Sequence, residues 1–350
     1  MQQTVDLWIY DEDFTALGVV DDYNSLIWAN RFRQCGDFEI YVSVTQDLID
    51  LLQEGRLVIR GDDDMVGIIE KVETGTDEEN GDYLIASGRD LRSILDRRIV
   101  WDQTAISGTV ENIMRQLVTD AFISPEIPER KYERLTLAPA HGFTERANVQ
   151  YTGDNLLEVL ESLCASYSYG FKITAEDGML VLDFYRGTDR SMTQAENPRV
   201  TFSEEYDNLR ATTYTLDKTN YKTVALVAGE GEGADRQRVT VERSTDREGL
   251  HRRETYVDAR DVSSNDGEFT TEELEAQLAE RGNSALAEAP IVESVEGTIE
   301  PMQMFLYKTD YFQGDIVTVV NKYGVAVDTQ VLETVESWDE DGYTCTPTFG

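Results

Sequence analysis

The feature that most constrains the fold of this chain is a pattern of short strand-like segments that occurs twice, once near each end. In the first copy the strands lie at residues 55–59, 69–74 and 83–88, with an acidic turn that ends at Gly81. In the second copy they lie at 314–318, 332–337 and 343–345, with an acidic turn that ends at Gly342, before the terminal Gly350. This agreement predicts a partial duplication, although two unrelated hairpins with valine-rich strands and Asp-Gly turns would also look alike.

A duplication has a consequence for assembly. Each chain would supply two related β modules, so three chains would supply six. A trimer of such chains would match a partner with six-fold symmetry.

The remaining sequence divides the chain into four parts. Residues 1–100 hold strand-like runs bounded by turn residues, which predict an antiparallel barrel or sandwich as the first β-barrel domain. Residues 101–200 read as an α+β domain, with helices behind Thr109 and from about Asp154, then a hairpin. Residues 201–290 carry strands and a long helix behind the capping box of Thr270 and Glu273, and residues 291–350 complete a second barrel. The fold class is mainly β, with two related antiparallel β-barrel domains and an α+β insertion.

Charge excludes one large class of function. The chain has 68 acidic and 31 basic residues, of which seven are lysine, and a formal net charge of −37. Such a chain repels DNA phosphates and anionic lipids, so a nucleic-acid binder is excluded. Two interpretations of the acidity stay open: the solvated surface of a halophilic protein, or the wall of a channel through which DNA passes without adhering.

Cysteine usage and the N-terminus indicate an aqueous, reducing compartment. Cys35, Cys164 and Cys345 are odd in number and follow no metal-binding spacing, so neither a disulfide framework nor a zinc site is expected. The N-terminal residues lack the basic flank and apolar core of a signal peptide, and no apolar run reaches 18 residues. We expect no membrane insertion by this chain.

The search for catalytic motifs is negative. His141 and His251 fall in no paired-ligand spacing and are expected at the surface, and no Gly-x-Ser-x-Gly turn occurs. The glycine-rich segment 229–233 lacks the lysine of a phosphate loop and is expected to be a flexible loop. The acidic turns at 62–64, 77–81 and 339–342 lack the calcium-loop pattern and are expected to be solvated. No cofactor, no metal and no catalytic residue is predicted.

Two alternatives to a structural role remain at this stage. Paired carboxylates could form a glycosidase site, although 68 acids make close pairs inevitable. The exposed faces of tryptophans could stack on sugars in an adhesin, although tryptophans in strands are more often core or interface anchors. The tryptophans are Trp8, Trp28, Trp101 and Trp338.

Several longer stretches occur in a fixed order along nearly the whole chain. The first three are LGVVDDYNSLIWANRFRQCGDFEIYVSV, GIIEKVE and SGRDLRSILDRRIV, and the later ones are VTFSEEYDNL, YKTVALVAGEGEGADR with RRETYVDARD, and QGDIVTVVN through DGYTCTPTFG. In combination they resemble the tail hub family of siphoviruses, which is related to the baseplate hub of contractile phages. The extreme acidity departs from that family and suggests a virus of a halophilic host.

The resemblance implies a non-enzymatic virion protein at the tail tip, assembled in the host cytoplasm. It implies a homotrimer whose six β-barrel domains form a pseudo-six-fold ring that lines or closes the DNA exit channel. The implied partners are the tail tube or a distal tail ring protein, the tape measure protein and a tip fibre or spike, while genome DNA passes without specific binding. Because the sequence ends after the last barrel strand, lytic or receptor-binding activity is expected in another protein.

The ring-forming strands supply the candidate site residues. Their side chains alternate between the two faces of a strand, so only some of them can point into a lumen. Solvent-facing hairpin charges are the ordinary alternative for each. The candidates for the lumen or the subunit interface are Asp37, Glu39, Glu70, Glu73, Glu333 and Glu336.

Overall fold

The computed structural model describes residues 5–77, 81–176, 178–233, 236–263, 269–299 and 304–350. Strands predominate, as predicted. The strands are β1 (Leu7–Tyr10), β2 (Ala16–Val20), β3 (Ser25–Arg31), β4 (Asp37–Ser43), β5 (Leu57–Arg60), β6 (Val66–Asp77), β7 (Gly81–Asp90), β8 (Thr104–Thr109), β9 (Leu135–Leu137), β10 (Arg146–Tyr151), β11 (Gly170–Glu176), β12 (Met179–Tyr185), β13 (Thr201–Ser203), β14 (Leu209–Asp217), β15 (Val224–Ala228), β16 (Arg238–Glu242), β17 (Glu254–Asp258), β18 (Val292–Ile299), β19 (Ile316–Val320), β20 (Ala326–Asp339) and β21 (Gly342–Phe349). The α-helices are α1 (Gln46–Leu51), α2 (Val110–Val118), α3 (Leu156–Tyr167) and α4 (Thr271–Ala287).

The first β module consists of β1–β7. Antiparallel pairing runs from β3 through β4, β7, β6 and β5 to β1, and β2 pairs with β1. Because successive residues of a strand face opposite sides, Phe38, Ile40 and Val42 enter a buried core with Trp28, while Asp37 and Glu39 take the other face.

The second β module consists of β13, β14 and β18–β21. Antiparallel pairing runs from β14 through β18, β21 and β20 to β19, and β13 joins β19 in parallel. A separate apolar core lies inside this module, with the ring of Phe202 at its centre against Phe305, Tyr311 and Phe349.

Between the two modules the chain forms an α+β segment. Helices α2 and α3 pack on the β8–β10 pair and on the sheet of β9, β11 and β12. The hydroxyl of Thr109 accepts a hydrogen bond from the backbone amide of Asn112 at the start of α2, so the predicted cap is confirmed. The second predicted helix is α3, capped by the Asn155 side chain. Its predicted packing position Cys164 is fully buried.

A second insertion lies between β14 and β18. Strand β15 pairs with β16 and β17, and α4 packs on this sheet through Leu274, Leu278 and Leu286. The capping box of Thr270 and Glu273 is present at the start of α4, as predicted.

The strand pairings confirm the duplicated strand order. The path β3–β4–β7–β6–β5 corresponds to β14–β18–β21–β20–β19, and every step in both paths is antiparallel. The hairpin of the two longest strands contains a bulge in each path, at Glu70 in β6 and at Leu332 in β20. The second path has a further register irregularity between Arg210 and Thr213 of β14. The bulges align Glu70 with Leu332. The predicted alignment of Ile69 with Leu332 is therefore wrong by one residue, because sequence letters do not show which residue leaves the ladder.

One predicted solvated turn, at residues 62–64, is wrong at its middle residue only, since the side chains of Asp62 and Asp64 are 50% and 83% exposed. Asp63, in the turn between β5 and β6, is 6% exposed and accepts hydrogen bonds from the side chains of Trp28 and Asn30. Residues 78–80 of the next acidic turn lie outside the described residues. Within the described part of the chain, the structure contains no helix that is both long and apolar enough to span a membrane.

Candidate functional site: the junction of the two β modules

The two β modules are joined edge to edge by one pair of strands. The second half of β20 pairs antiparallel with β3, in a register that sets Glu333 against Arg31 and Trp338 against Leu26. The first half of β20 is occupied by β19. One continuous sheet therefore runs from β14 in the second module to β6 in the first, and then on to β5, β1 and β2.

One face of this junction carries an ion-pair cluster that is partly open to solvent. The Arg31 guanidinium donates to Glu333 at 2.6 Å, to the Asp37 carboxylate, and to the carbonyl of Cys35 at 2.8 Å. Asp37 and Glu333, both predicted site residues, thus meet at the same arginine across the junction. Exposed pairs of this kind add little stability, but the unlike charges of Arg31 and Glu333 are opposite each other in the register that the two strands adopt.

The opposite face of the junction buries a second ion cluster. The Arg60 guanidinium lies between the rings of Trp28 and Trp338, 5.2 and 4.5 Å from their centroids, and its side chain is fully buried. It donates to Glu336 at 3.0 Å and to Asp62 at 2.8 Å. A stacked, bidentate arginine is suited to such a site, since its planar fork satisfies several acceptors at once.

Lys308 completes this buried cluster from the loop before β19. Its amine lies 2.7 Å from Asp63 and 2.8 Å from Glu336. Two buried carboxylates, Asp63 and Glu336, therefore share two cations, and residues from both modules are required to neutralise them. Tyr343 donates a further hydrogen bond to Glu336 at 2.9 Å.

The charges of the cluster stabilise one another against burial. Burial would lower the pKa of Arg60, but its hydrogen bond to Asp62 and the charges of Glu336 and Asp63 raise that pKa above the usual value. Burial would likewise raise the pKa of Asp63, whereas Lys308 and Arg60 hold it below its ordinary value. Arg60 and Asp63 are thus both ionised at neutral pH.

An aromatic anchor fixes the end of the junction. The ring of Phe32 is fully buried, and a Cβ added at either Gly170 or Gly314 would lie 2.3 Å or less from its carbon atoms. The Phe32 amide donates to the Leu332 carbonyl at 2.8 Å. The two modules and the α+β segment therefore converge on one side chain that only glycine neighbours can accommodate.

The remaining predicted site residues lie away from the junction. Glu70 pairs with Arg89 at 2.9 Å and Glu73 pairs with Lys71 at 2.7 Å, both on the open part of β6. Glu39 lies on β4, two residues from Asp37 on the same face. Of the six candidates, the structure brings Asp37, Glu333 and Glu336 to the junction and leaves the other three along the first module.

Sequence reasoning missed Arg60, Asp63 and Lys308. A signal was present in the two tryptophans that flank Arg60, because large aromatic residues in neighbouring strands mark an anchored contact. Nothing in the sequence places Lys308 beside Asp63, since 245 residues separate them along the chain.

The structure offers limited support for an enzyme site. Among the described residues, no three histidines, cysteines or acids are grouped to hold a metal ion. His141 is exposed, as predicted, and bonds to Asp183 at 2.9 Å, and His251 is also exposed. A cleft of about 590 Å³ contains Glu158, Glu161 and Glu288, and burial raises the pKa of Glu161 to about 7.

The four tryptophans do not form a sugar-binding row. Trp28 and Trp338 are buried in the junction, whereas Trp8 and Trp101 are exposed on β1 and on the loop before β8. The cation of Arg130 covers the ring of Trp101 at 5.3 Å.

Comparison with known proteins places this fold among phage tail proteins. Residues 6–350 match the family described as Siphovirus ReqiPepy6 Gp37-like protein, and the chain belongs to that family. A comparison with curated protein sequences gives no match.

Solved structures share the whole fold. The tail protein from Neisseria meningitidis MC58 is 15% identical with a TM-score of 0.58, covering 99% of this chain and 96% of that one. The 43 kDa tail protein of prophage MuSo2 from Shewanella oneidensis is 13% identical with a TM-score of 0.61, covering 99% and 98%. Prophage tail protein gp18 from Listeria monocytogenes EGD-e is 12% identical with a TM-score of 0.53, covering 98% and 94%. The chain therefore belongs to a siphovirus protein family and shares its fold with phage tail proteins.

Proposed function

We propose that this protein is the trimeric hub at the tip of the tail, and that it acts as a structural component without catalytic activity. The observation that carries the proposal is the junction between β3 and β20, which fuses two modules of the same strand order into one sheet. A chain that presents two equivalent modules side by side is suited to convert three-fold symmetry into pseudo-six-fold symmetry.

The chemistry of sheet edges supports closure into a ring. From β14 to β6 the sheet is a run of eight strands, with four strands from each module. An exposed strand edge carries unpaired backbone groups, and closing the sheet on itself removes such edges. Three copies joined head to tail would close this sheet into a barrel around a central channel.

The face of the sheet away from the module cores is our candidate for the channel wall. Asp37, Glu39, Glu73 and Glu333 lie on it, whereas the side chain of Glu336 is 4% exposed and is committed to the junction. The cations on this face are each paired with a carboxylate: Arg31 with Asp37 and Glu333, Lys71 with Glu73, and Arg89 with Glu70. A mostly acidic wall whose cations are already paired offers the phosphates of passing DNA little to bind. The lumen role is therefore proposed for Asp37, Glu39, Glu73 and Glu333 and not for Glu336.

The proposed position defines the partners. A pseudo-six-fold upper face fits the tail tube or a distal tail ring protein, and the three-fold lower face fits a tip fibre or spike. The tape measure protein and then the genome would pass through the channel. The net charge of −37 per chain opposes assembly at low salt, which fits a virus of a halophilic host.

A tail-tip hydrolase is the second candidate function. One observation favours it: Glu161, a carboxyl group whose pKa is raised to about 7, lies in a cleft beside Glu158 and Glu288. If this cleft were catalytic, the wild-type protein would hydrolyse host envelope polymers and the Glu161→Gln variant would not. We expect no hydrolysis by either protein, measured as release of reducing ends or soluble fragments.

The molar mass in solution tests the hub. Light scattering of the purified 39.6 kDa chain from low to multimolar salt is expected to give three times the chain mass, with the trimer favoured as salt screens the acids. A chain that stays monomeric at every salt concentration would contradict the ring.

A further inference from the structure

Two strand edges of the eight-strand sheet are open within one chain. In the described residues β14 pairs only with β18, and β6 beyond its bulge pairs only with β7. Both edges carry exposed apolar side chains: Val72 on β6 is 38% exposed, and Leu216 on β14 is 53% exposed. Open edges with apolar side chains are sites of strand pairing with another chain.

The duplication assigns a partner to each open edge. In the second module the first half of β20 pairs with β19 and the second half pairs with β3. In the first module the first part of β6 pairs with β5 in the same way. The second part of β6 corresponds to the half of β20 that binds β3, and this part is open. The strand of the second module that corresponds to β3 is β14. We infer that the open half of β6 pairs with β14 of a second copy of this chain, in the register of the β3–β20 junction.

The register follows residue by residue from the two bulges and the ladder pairings. Glu333 directly follows the bulge of β20 and pairs with Arg31 of β3. Lys71 directly follows the bulge of β6, so it would pair with the residue of β14 that corresponds to Arg31. Tracing the pairings through β4 and β18 shows that Asp217 occupies that position in β14. The ion pair between Glu333 and Arg31 would thus recur between copies as Lys71 with Asp217, with the signs of the charges exchanged.

The same register pairs the exposed apolar side chains. Val72 falls opposite Leu216, and Thr74 falls opposite Tyr214, which is 38% exposed. In this register apolar residues lie opposite each other and so do opposite charges. The register comes from the duplication, and the sequences of β6 and β14 alone would not reveal it. A shift of one residue would turn Val72 and Leu216 to opposite faces of the sheet.

A shallow groove beside β6 gives the incoming strand a surface to pack on. Ile49 and Leu52 of the α1 region line it together with Val72. In the second module the corresponding loop contacts the junction through Gln313, whose amide donates to the Asn30 carbonyl at 2.8 Å. The α1 region is therefore placed to contact β14 of the second copy as the loop before β19 contacts β3.

Cross-strand disulfide formation tests this register. The Phe32–Leu332 hydrogen bond fixes the phase of the β3–β20 ladder, so the pair Glu73 and Thr215 falls at a non-hydrogen-bonded position with Cα atoms about 4.5 Å apart. That separation permits a disulfide. The variant Glu73→Cys with Thr215→Cys is expected to give covalent trimers on mild oxidation, read on a non-reducing gel. The native cysteines are buried and unpaired, so they add little background.

A control variant tests the register against its nearest competitor. Glu73→Cys with Thr213→Cys keeps both side chains on the same face but separates the Cα atoms by about 7–8 Å, so little disulfide is expected. A second variant, Leu216→Asp, is expected to lower the trimer fraction at least ten-fold. Leu250→Asp, at a position that is 99% exposed and outside both edges, is expected to leave the trimer fraction unchanged.

The outcomes separate this inference from the trimer proposal on which it rests. The register would be overturned if the protein has a trimeric mass but the Glu73–Thr215 cross-link does not form, or if the Thr213 variant cross-links better. Neither outcome would contradict the trimeric hub. A ladder of covalent species beyond three chains would support the paired edges but contradict closure at three. A monomer at every salt concentration would overturn both.

Discussion

Replacement of Arg60 by methionine provides the sharpest test of the junction. The side chain of Arg60 is fully buried, and those of its partners Glu336 and Asp63 are 4% and 6% exposed. Without the guanidinium, Lys308 alone would neutralise two buried carboxylates. Breaking a buried ion pair by removing one partner costs about 3–5 kcal/mol, because an uncompensated charge is left in the interior. We expect Arg60→Met to lower the free energy of unfolding by that amount.

Urea denaturation at fixed salt measures this cost. Tryptophan fluorescence reports the junction directly, since two of the four tryptophans flank Arg60. Arg89→Met is the matched control, because Arg89 pairs with Glu70 and Asp96 but its side chain is 38% exposed. An exposed pair contributes about 0–1 kcal/mol.

A second substitution tests the proposed cause. Glu336→Gln in the Arg60→Met background removes one uncompensated carboxylate, so the double variant is expected to recover about 2 kcal/mol relative to Arg60→Met. The penalty of Arg60→Met should also shrink at low pH, because Arg60 helps to lower the pKa of Asp63 and this contribution to stability is lost once Asp63 takes up a proton. If Arg60→Met costs no more than Arg89→Met, the buried cluster does not hold the modules together and the reasoning fails.

Two further predictions concern the bulge and the half-buried Glu161. Gly88→Ala should destabilise the chain by about 1–3 kcal/mol in urea denaturation, because its Cβ would lie 1.9 Å from the Ile68 carbonyl oxygen, while Gly108→Ala, with open space, should be near neutral. Burial raises the pKa of Glu161 to about 7, so its ionisation costs stability as the pH rises from about 4.5 to 7. Glu161→Gln should therefore raise the free energy of unfolding by about 1–2 kcal/mol more at pH 8 than at pH 5, allowing for partial exposure. Glu158→Gln, on the exposed side of α3, should show no such difference. An equal effect of Glu161→Gln at both pH values would contradict this assignment.

Sequence patterns predicted the local structure of this chain well. The caps Thr109 and Thr270 set the starts of α2 and α4 where expected, because a side chain that binds a free helical amide acts within three residues. Strand order in the two copies was predictable for the same reason, since hairpins are local. The family resemblance extended this prediction to the whole fold.

Contacts over long sequence separations were not predictable. The expectation that the acidic turn at 62–64 is solvated failed for Asp63, because its neutralising partners come from β5 and from the loop before β19. The alignment of the repeat failed by one residue for a related reason. A bulge is a property of the ladder between two strands, and neither strand shows it alone.

The two kinds of junction in the proposed ring differ in how they respond to salt. Within the chain, Arg60 and Glu336 form a desolvated ion pair, which mobile ions screen weakly. At the proposed contact between copies, Thr74 occupies the position that corresponds to Glu336. The free chain therefore has no carboxylate at this position that needs a cation from another copy. The single chain can therefore fold first and associate later. Repulsion between chains of charge −37 opposes association over long distances, so salt should raise the trimer fraction without changing which residues cross-link. A cross-linked pair that changed with salt would mean that ions select the register, whereas the duplication requires a register fixed by the strands.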